Sequence, residues 1–435
     1  MLNKKIFILL ICILFLLDVL IVLGDTTISA CNYDTTGVDT YLLSSDLTCS
    51  AGVNGILIDE AGATLDCQGH TIKDGGAGTT GIYVTANDIT IQNCYITNFD
   101  DGIQSDALRT NIIENKIYSN LVRGIYVTSN SGFIYKNDIY DQSGSSDSGI
   151  HLSGDNNKIY NNSLINNDIG INLFPSSNNN ITDTYISSIT NDIKAQTSSI
   201  NNLIINTTLA KDSNSILTNS EILRLWKGVF RVVNSSGGSV SGVNVTLWNS
   251  SIPVEVSVIT GSDGYGHINL TKYKETSGGK QNYTNYNVSV WKIGFNDTNT
   301  SFNFDDNFEQ TFTLVDDIDP VVSITSPADL TENKTARQIS IDYSATEANG
   351  LSSCSLLANG TQQKINNSMT SLTSNFVTST LYNGDHNITV RCTDTFSNIG
   401  ENQIKISVNY PLNVTGISTS ADASSAVVSF ITTEK

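Results

Sequence analysis

The chain has 435 residues, which is room for about three domains of ordinary size. Only 15% of its residues are charged, and its formal net charge is −19. This balance excludes nucleic acid as a partner, because phosphates are bound by patches of lysine and arginine. It fits a soluble surface outside the cell.

Residues 1–30 are predicted to be a secretory signal peptide. Two lysines precede an apolar run over residues 6–17, the order of a positive n-region and an apolar h-region. The alternative is an uncleaved anchor, since residues 6–24 could nearly span a bilayer. Asp18 disfavours it, because a carboxylate within a membrane is costly. A membrane contact is expected only through this segment or through an anchor beyond the end of the sequence.

Residues 31–215 are predicted to form a parallel β-helix with an N-terminal cap. Seven short strands open with isoleucine, at steps of 26, 21, 22, 25, 21 and 22 residues. A period near 22 residues, built of short β-branched strands, is the repeat signature of this fold and predicts seven rungs. A glycine precedes six of the isoleucines, and we expect these glycines at corners with positive φ. The isoleucines are Ile56, Ile82, Ile103, Ile125, Ile150, Ile171 and Ile193.

A second motif, Ile-x-x-Asn-x-Ile, follows each strand in phase. Its asparagines are expected to stack at the bend after the second strand, because Asn tolerates left-handed geometry and its amide can bond along the ladder. Period-two alternation places every other strand residue in the lumen, so Ile125 should be enclosed between Ile103 and Ile150. The ladder asparagines are Asn115, Asn137 and Asn162.

The residue after each leading isoleucine is predicted to face outward, which forms one column on five successive rungs. Flat aromatic and amide side chains at rung spacing can stack on sugar rings and bond their hydroxyls. The alternative is ordinary strand surface, chosen for β-propensity and cross-rung stacking. The column is Tyr83, Gln104, Tyr126, His151 and Asn172, and a second ladder on the next face is Tyr135 and Tyr160.

Six cysteines remain once Cys12 is assigned to the signal segment. They form three local pairs, which in an exported protein are predicted to be disulfides. The last pair is expected to cross a sandwich, as in Ig domains. Short Cys-x-x-Cys spacing is absent and the histidines are scattered, so no metal site and no cofactor is predicted. The pairs are Cys31–Cys49, Cys67–Cys94 and Cys354–Cys392.

Three modules are predicted to follow the β-helix. Alternating strands with glycine turns indicate antiparallel sandwiches over residues 216–315 and 316–410. Residues 411–435 are predicted to hold the first two strands of a further module, too few to fold alone. The Asp316, Asp317 and Asp319 cluster is either a calcium site or, as we favour, a solvated linker. Most of the sixteen Asn-x-Ser/Thr sequons lie in these modules, so glycosylation is expected there.

Several stretches resemble known families. "LDCQGHTI" and "GIYVTANDITIQNCYITNF" resemble the first coils of the right-handed parallel β-helix family described as NosD-like, or as the CASH domain. The resemblance covers roughly residues 31–209 and implies that fold. Residues 216–315 resemble carboxypeptidase-regulatory-like modules, and residues 316–410 resemble bacterial Ig-like repeats. The last segment resembles fibronectin-III. The combination is similar to archaeal-type surface proteins.

These features predict an all-β, secreted or cell-surface structural or adhesive glycoprotein, with a polysaccharide or cell-surface glycan as partner. The alternative is a polysaccharide lyase or glycoside hydrolase of the same fold. A glycosidase needs two carboxylates facing one cleft. The acidic pairs at residues 59–60 and 100–101 are interpreted as solvated corners, and Arg109 and Arg123 as turn residues, so no catalytic residue is assigned. NosD-type copper delivery is disfavoured, because methionine is scarce and His and Cys are not clustered.

Overall fold

The computed structural model describes residues 25–433, except residues 77–78, 143, 145–146, 250–251, 284, 368–372, 412 and 422–424. Most of the predicted signal peptide, with Cys12, lies outside the described residues. Every element within the described ranges is a β-strand, which confirms the predicted all-β class. In this part of the chain no helix is long and apolar enough to cross a membrane.

The N-terminal half is a parallel β-solenoid, as predicted. Its strands are two to five residues long because bends recur within every rung. In chain order they are β1 (Thr26–Ile28), β2 (Tyr33–Asp34), β3 (Thr40–Leu43), β4 (Leu47–Cys49), β5 (Ile56–Ile58), β6 (Thr64–Asp66), β7 (Thr71–Asp74), β8 (Thr80–Val84), β9 (Thr90–Gln92), β10 (Tyr95–Thr97), β11 (Asp101–Ser105), β12 (Asn111–Ile113), β13 (Lys116–Tyr118), β14 (Arg123–Val127), β15 (Phe133–Tyr135), β16 (Asp138–Tyr140), β17 (Ser148–Leu152), β18 (Lys158–Tyr160), β19 (Ser163–Ile165), β20 (Ile169–Leu173), β21 (Asn180–Thr182), β22 (Tyr185–Ser187), β23 (Asn191–Ala195), β24 (Asn202–Ile205), β25 (Thr208–Leu209) and β26 (Asn214–Ile216).

Three parallel sheets run along the solenoid. Sheet I is β2-β5-β8-β11-β14-β17-β20-β23-β26, sheet II begins β1-β3-β6-β9-β12-β15-β18-β21-β24, and sheet III is β4-β7-β10-β13-β16-β19-β22-β25. Sheet I has nine strands, so the predicted number of seven rungs was too low. The two additional strands, β2 and β26, lack the leading isoleucine. They are extended because the neighbouring rung offers a row of backbone partners.

The lumen is filled by the isoleucine columns. Ile125 is 0% exposed and pairs in register with Ile103 on one side and Ile150 on the other. This agrees with the predicted alternation. Each rung contributes further buried isoleucines from sheets II and III, which together form one continuous apolar core.

The glycines before the leading isoleucines have a different role from the predicted one. None of the six has a positive φ, and five of them lie inside strands. A Cβ atom on Gly124 would lie 2.6 Å from the carbonyl oxygen of Gly149 on the next rung, and 2.6 Å from the Ile139 side chain. Glycine is therefore required here by the close approach of neighbouring backbones.

The ladder asparagines occupy one buried row between sheets II and III. Asn137 Oδ1 accepts hydrogen bonds from the backbone N–H and the side-chain amide of Asn115, both 3.0 Å long. Its own amide donates to the carbonyl oxygen of Ile112 at 2.8 Å and to Asn162 Oδ1 at 3.0 Å. We expected these three asparagines to have a left-handed backbone with positive φ, and this expectation was wrong. The left-handed residue is the one before each asparagine, as in Lys136 with a φ of 53°.

The first sandwich shares a β-sheet with the solenoid. β27 pairs in parallel with β24 at its start and antiparallel with β30 along its length, so sheet II continues into the sandwich. β30, β31 and β34 complete this layer, and the other layer has the order β29-β28-β32-β33. The strands are β27 (Glu221–Asn234), β28 (Asn244–Asn249), β29 (Ile252–Ile259), β30 (Tyr265–Thr276), β31 (Gly279–Asn282), β32 (Asn285–Trp291), β33 (Thr298–Asn303) and β34 (Phe308–Leu314).

The second sandwich packs sheet β35-β37-β40 against sheet β36-β42-β41-β38-β39, and a separate hairpin, β43-β44, follows it. Asp316, before β35, is 8% exposed and accepts a 2.7 Å hydrogen bond from Asn349, so it is not the solvated residue that we expected. The strands are β35 (Val321–Ser326), β36 (Thr331–Asn333), β37 (Ser340–Thr346), β38 (Leu351–Ala358), β39 (Thr361–Asn366), β40 (Thr373–Val377), β41 (Gly384–Asp394), β42 (Ile399–Val408), β43 (Asn413–Ala421) and β44 (Ala426–Thr433).

All three predicted disulfides are present: Cys31–Cys49, Cys67–Cys94 and Cys354–Cys392. The expectation that the last one crosses a sandwich was wrong. Cys354 and Cys392 are directly opposite each other on β38 and β41, which are neighbours in one sheet. Three disulfides are typical of an extracellular or periplasmic protein, because a reducing cytosol does not maintain them.

Candidate functional site

The predicted outward column lies on sheet I. Parallel pairing brings Tyr83, Gln104, Tyr126, His151 and Asn172 into one register. Their polar ends bond mostly to the protein itself. Tyr83 donates a 2.7 Å hydrogen bond to an Asp106 oxygen, and Gln104 donates to the same carboxylate at 3.2 Å.

The last member of the column is not available to a ligand. Asn172 is only 7% exposed, because the neighbouring rungs cover it. Its amide contacts His151 Nδ1 at 3.3 Å, and its oxygen accepts a 2.9 Å hydrogen bond from Gln196. We therefore exclude Asn172 from the glycan-contacting candidates.

An ion pair that the sequence did not reveal lies beside this column. Asp101 and Arg123 open β11 and β14 and pair directly in sheet I, so neither is the turn residue that we expected. Arg123 Nε and Nη2 donate to the two Asp101 oxygens at 2.7 and 2.8 Å. Asp101 is 5% exposed, so it is not a solvated corner. The Arg123 guanidinium also lies 3.6 Å from the centre of the Tyr126 ring, within cation–π range.

Burial sets the charge states on sheet I. Burial raises the pKa of the Asp101 carboxyl, and the Arg123 guanidinium opposes that rise. Burial and the positive charge of Arg123 lower the pKa of His151 to about 4. His151 is therefore neutral at pH 7, and its ring contacts Tyr126 edge-on with centroids 5.0 Å apart. The column is a closed, internally bonded surface.

Removing Arg123 is expected to destabilise the protein in a pH-dependent way. Arg123→Ala leaves the Asp101 carboxylate buried without a partner. It should lower the free energy of unfolding at neutral pH by about 2–3 kcal/mol, less than the roughly 3–5 of a fully buried pair, because Arg123 keeps some solvent contact. The loss should shrink as pH falls through the raised pKa of Asp101, since the protonated group needs no counter-charge. Urea titrations at neutral and acid pH measure this difference.

Arg109 provides the matched control, because it forms an exposed pair with Asp88 one rung apart. Arg109→Ala should leave the unfolding curve nearly unchanged at both pH values. A destabilisation by Arg123→Ala that grew on acidification would contradict the assigned role of Asp101.

The second predicted ladder lies on sheet II. The rings of Tyr135 and Tyr160 stack with centroids 5.4 Å apart and an interplanar angle of 3°. Phe133 stacks on Tyr135 as well, at 5.4 Å, so Tyr135 has two ring neighbours. Tyr160 is 38% exposed, and its neighbour on the next rung is the small Thr182. Tyr160 is therefore the ring that is open to a ligand.

A third ladder on sheet III was missed in the sequence. Tyr118 and Tyr140 stack with centroids 5.3 Å apart and an interplanar angle of 6°. Each follows the last isoleucine of the second motif, so extending that motif by one residue, to Ile-Tyr, would have revealed the ladder. Sheets II and III meet at the asparagine bend. We name the rings on its two sides the tyrosine edge: Tyr118, Tyr135, Tyr140 and Tyr160.

A surface cavity of about 360 Å³ lies at the end of the Tyr118–Tyr140 stack. We name it the Tyr140 cavity. Its size falls in the roughly 300–1,000 Å³ range of small-molecule sites. Tyr140 and Ile165 provide apolar surface, and the other side chains around it are polar or charged. The lining residues are Lys116, Asp138, Tyr140, Asp141, Ser163, Ile165 and Asn166.

Two family models match parts of the chain. Residues 32–221 match the family described as periplasmic copper-binding protein (NosD), and residues 320–390 match the bacterial Ig domain. The first match lies on the β-solenoid and the second lies on the second sandwich, which confirms those two resemblances. The carboxypeptidase-regulatory-like, fibronectin-III-like and archaeal resemblances stay predictions.

Solved structures match the chain at low overall similarity. Fibronectin(III)-like modules of Clostridium thermocellum CbhA are 15% identical, cover 42% of this chain and 90% of their own, and have a TM-score of 0.19. BcpA, the major pilin subunit of Bacillus cereus, is 10% identical and covers 44% and 70%, with a TM-score of 0.22. A bacterial ice-binding adhesin is 13% identical and covers 46% and 70%, with a TM-score of 0.21. Such likeness defines neither ligand nor activity. No curated protein matches the chain.

The described residues do not fit a copper site. Copper is bound by thiolate, thioether and imidazole ligands. All six described cysteines are in disulfides, and Met1 and Met369 lie outside the described residues. Within the described ranges no three His, Cys, Asp or Glu side chains come close enough together to hold a metal. We assign no copper-dependent step to this chain.

Proposed function

We propose that this chain is an exported structural or adhesive protein that holds a glycan against the tyrosine edge of its solenoid. A β-solenoid continued by Ig-like sandwiches is a fitting architecture for a surface structural or adhesive protein. The disulfides support an extracellular or periplasmic location. The long solenoid surface suits a polymeric ligand, since aromatic rings stack across successive rungs on both sheets II and III.

The Tyr140 cavity is the observation that carries the glycan proposal. A sugar ring offers one apolar face and a perimeter of hydroxyls, so it needs a flat apolar contact with hydrogen-bonding groups around it. Tyr140 and Ile165 supply the apolar contact. Ser163 and Asn166 can bond hydroxyls, while Lys116 and Asp138 add a charged donor and a charged acceptor. Tyr160, around the bend on sheet II, extends the contact along the glycan.

Replacing Tyr140 by alanine is expected to weaken glycan binding by roughly two- to tenfold, because a well-placed aromatic contact contributes about 0.5–1.5 kcal/mol. A glycan array of the full chain would first identify the ligand, and titrations of the variants would follow. Tyr126→Ala is the matched control, because Tyr126 lies on the same rung but faces outward from sheet I. It should leave the affinity unchanged.

The reverse result would contradict the proposal. If Tyr126→Ala abolished binding and Tyr140→Ala did not, the ligand would lie on sheet I, along Tyr83, Gln104, Tyr126 and His151. Binding unaffected by both substitutions would place the ligand away from both faces. A melting curve of each variant separates lost binding from lost folding.

A polysaccharide lyase or glycoside hydrolase is the second candidate function, and the same cavity favours it in one respect. Lys116, Asp138 and Asp141 surround the Tyr140 cavity, and such a meeting of carboxylates and a base is what an enzyme requires. Both carboxylates are exposed, however, whereas a general acid usually owes its raised pKa to burial. Release of new reducing ends or unsaturated sugars from the array ligand, lost in Asp138→Asn, would establish catalysis.

A further inference from the structure

A second cavity, of about 390 Å³, lies where the solenoid meets the first sandwich. We name it the junction cleft. One wall comes from the last solenoid rung, including Leu209 and Asp212. The other comes from β27 and β30, with Arg224 and Trp226 on the first and Tyr273 on the second. It is on a different part of the molecule from the tyrosine edge and does not depend on the proposed glycan site.

Arg224 is the unusual residue of this cleft. It pairs with Ile204 and occupies the last position in the row of buried isoleucines on the lumen side of sheet II. It is 5% exposed, and no carboxylate among the described residues forms an ion pair with it. Its Nη2 donates to the carbonyl oxygen of Thr207, while its Nη1 is buried without a hydrogen-bond partner.

A second unpartnered donor lies next to it. The Arg224 guanidinium is 4.5 Å from the centre of the Trp226 ring, and the indole Nε1 of Trp226 is also buried without a partner. Buried polar groups are almost always hydrogen-bonded, and an unmet cation is especially costly. Two such donors side by side indicate an acceptor that bonds both.

A purely structural role for Arg224 explains less. The arginine stem can close the end of the lumen while its head lies near the surface. Leucine or methionine would close the lumen equally well, without a buried charge and without an unmet donor. Asp212 and Asp306 act on the Arg224 charge from within the same cleft, but neither accepts a hydrogen bond from it. What Nη1 lacks is an acceptor in contact, and a carboxylate is the acceptor that fits a guanidinium with a free N–H group.

Asp306 and Asn307 also line the cleft. The Asp306 carboxylate can accept hydrogen bonds from hydroxyl groups. Asn307 is already engaged, because its oxygen accepts a 2.9 Å hydrogen bond from the backbone N–H of Lys227 and its amide donates to Asn206. Asp212 is already occupied, because it pairs with Lys280 at 2.5 Å and accepts a 2.9 Å hydrogen bond from Tyr273. A ligand that spans the cleft would thus present an anionic end to Arg224 and hydroxyls to Asp306.

We propose that the junction cleft binds a hydroxylated carboxylate of the uronate class, with the carboxylate on Arg224 and Trp226. The solenoid rung and the sandwich each supply half of the site, so binding also links the two modules.

The test uses the full chain and free glucuronate, with glucose and acetate as partial ligands. The chain has three tryptophans, so the indole N–H signal of Trp226 can be followed by NMR and assigned by its loss in Trp226→Phe. Glucuronate should shift this signal and bind at least about tenfold more tightly than glucose, which lacks the charge, or acetate, which lacks the hydroxyls. Arg224→Gln should weaken glucuronate binding by roughly ten- to hundredfold.

Two further variants test the role of the Trp226 donor and the independence of the two proposed sites. Trp226→Phe keeps an aromatic ring at this position and removes the indole N–H, so it should weaken glucuronate binding by a few-fold while the melting temperature stays close to that of the parent chain. Tyr140→Ala should leave glucuronate binding unchanged, which separates this cleft from the tyrosine edge. Equal binding of glucuronate and glucose, no binding of glucuronate, or wild-type affinity in a folded Arg224→Gln variant would each overturn the proposal.

Discussion

Asn137→Ala is expected to lower the free energy of unfolding by about 3–5 kcal/mol, because it leaves several buried groups without hydrogen bonds at roughly 1–3 kcal/mol each. Asn137 is 0% exposed. Its oxygen holds the backbone N–H and the amide of Asn115, and its amide holds the carbonyl oxygen of Ile112. Alanine replaces none of these bonds, and the asparagines of the row are buried. Equilibrium denaturation in urea measures the loss.

Two threonines in the same row suggest a control substitution with an intermediate effect. Thr184 and Thr207 occupy the same row on later rungs, where each hydroxyl accepts a 3.4 Å hydrogen bond from the backbone N–H of the preceding rung. Asn137→Thr should therefore cost about half as much as Asn137→Ala. Lys136→Ala, at the exposed neighbour, should change little. A loss below about 1 kcal/mol for Asn137→Ala would show that the asparagine row is not a main source of stability.

Ile125→Ala is expected to cost about 2–5 kcal/mol, because it leaves a cavity in a lumen that neighbouring rungs cannot close. Ile125 is fully buried, and its neighbours Ile103 and Ile150 are held in place by backbone pairing on both sides. The surroundings can relax only by shifting whole rungs. The free energy of unfolding from denaturant titration tests the value.

Tyr126→Ala, one residue further along the same strand, is the matched surface substitution. It loses the contact with the Arg123 guanidinium and the edge contact with His151. A cation–π contact near the surface contributes about 0.5–1 kcal/mol and a cross-strand pair about 0.2–1. The total should stay below the cost of Ile125→Ala. If Tyr126→Ala proved the more destabilising of the two, the alternation of inward and outward residues would be inverted.

The features that repeat along the chain could be predicted from the residues alone. Isoleucine at a period near 22 residues predicts short strands with one apolar side, and alternation then places Ile125 in the lumen. The asparagine row and the Cys67–Cys94 pair follow from the same phase, because residues about one period apart lie on neighbouring rungs. Tyr118 and Tyr140 recur at the same period, but they were missed because the second motif was defined one residue too short.

Features that depend on contacts between rungs and between modules could not be predicted in this way. Asp101 and Arg123 are 22 residues apart and look like separate turn residues until the register pairs them. The glycines before the isoleucines are required by a backbone on the next rung, and no local pattern shows that distance. Cys354 and Cys392 share one sheet because β38 and β41 are direct neighbours, an order that strand patterns do not encode. The junction cleft forms because β27 pairs with a solenoid strand and with a sandwich strand. The sequence pattern places a module boundary just before β27, so it does not show that both modules share this strand.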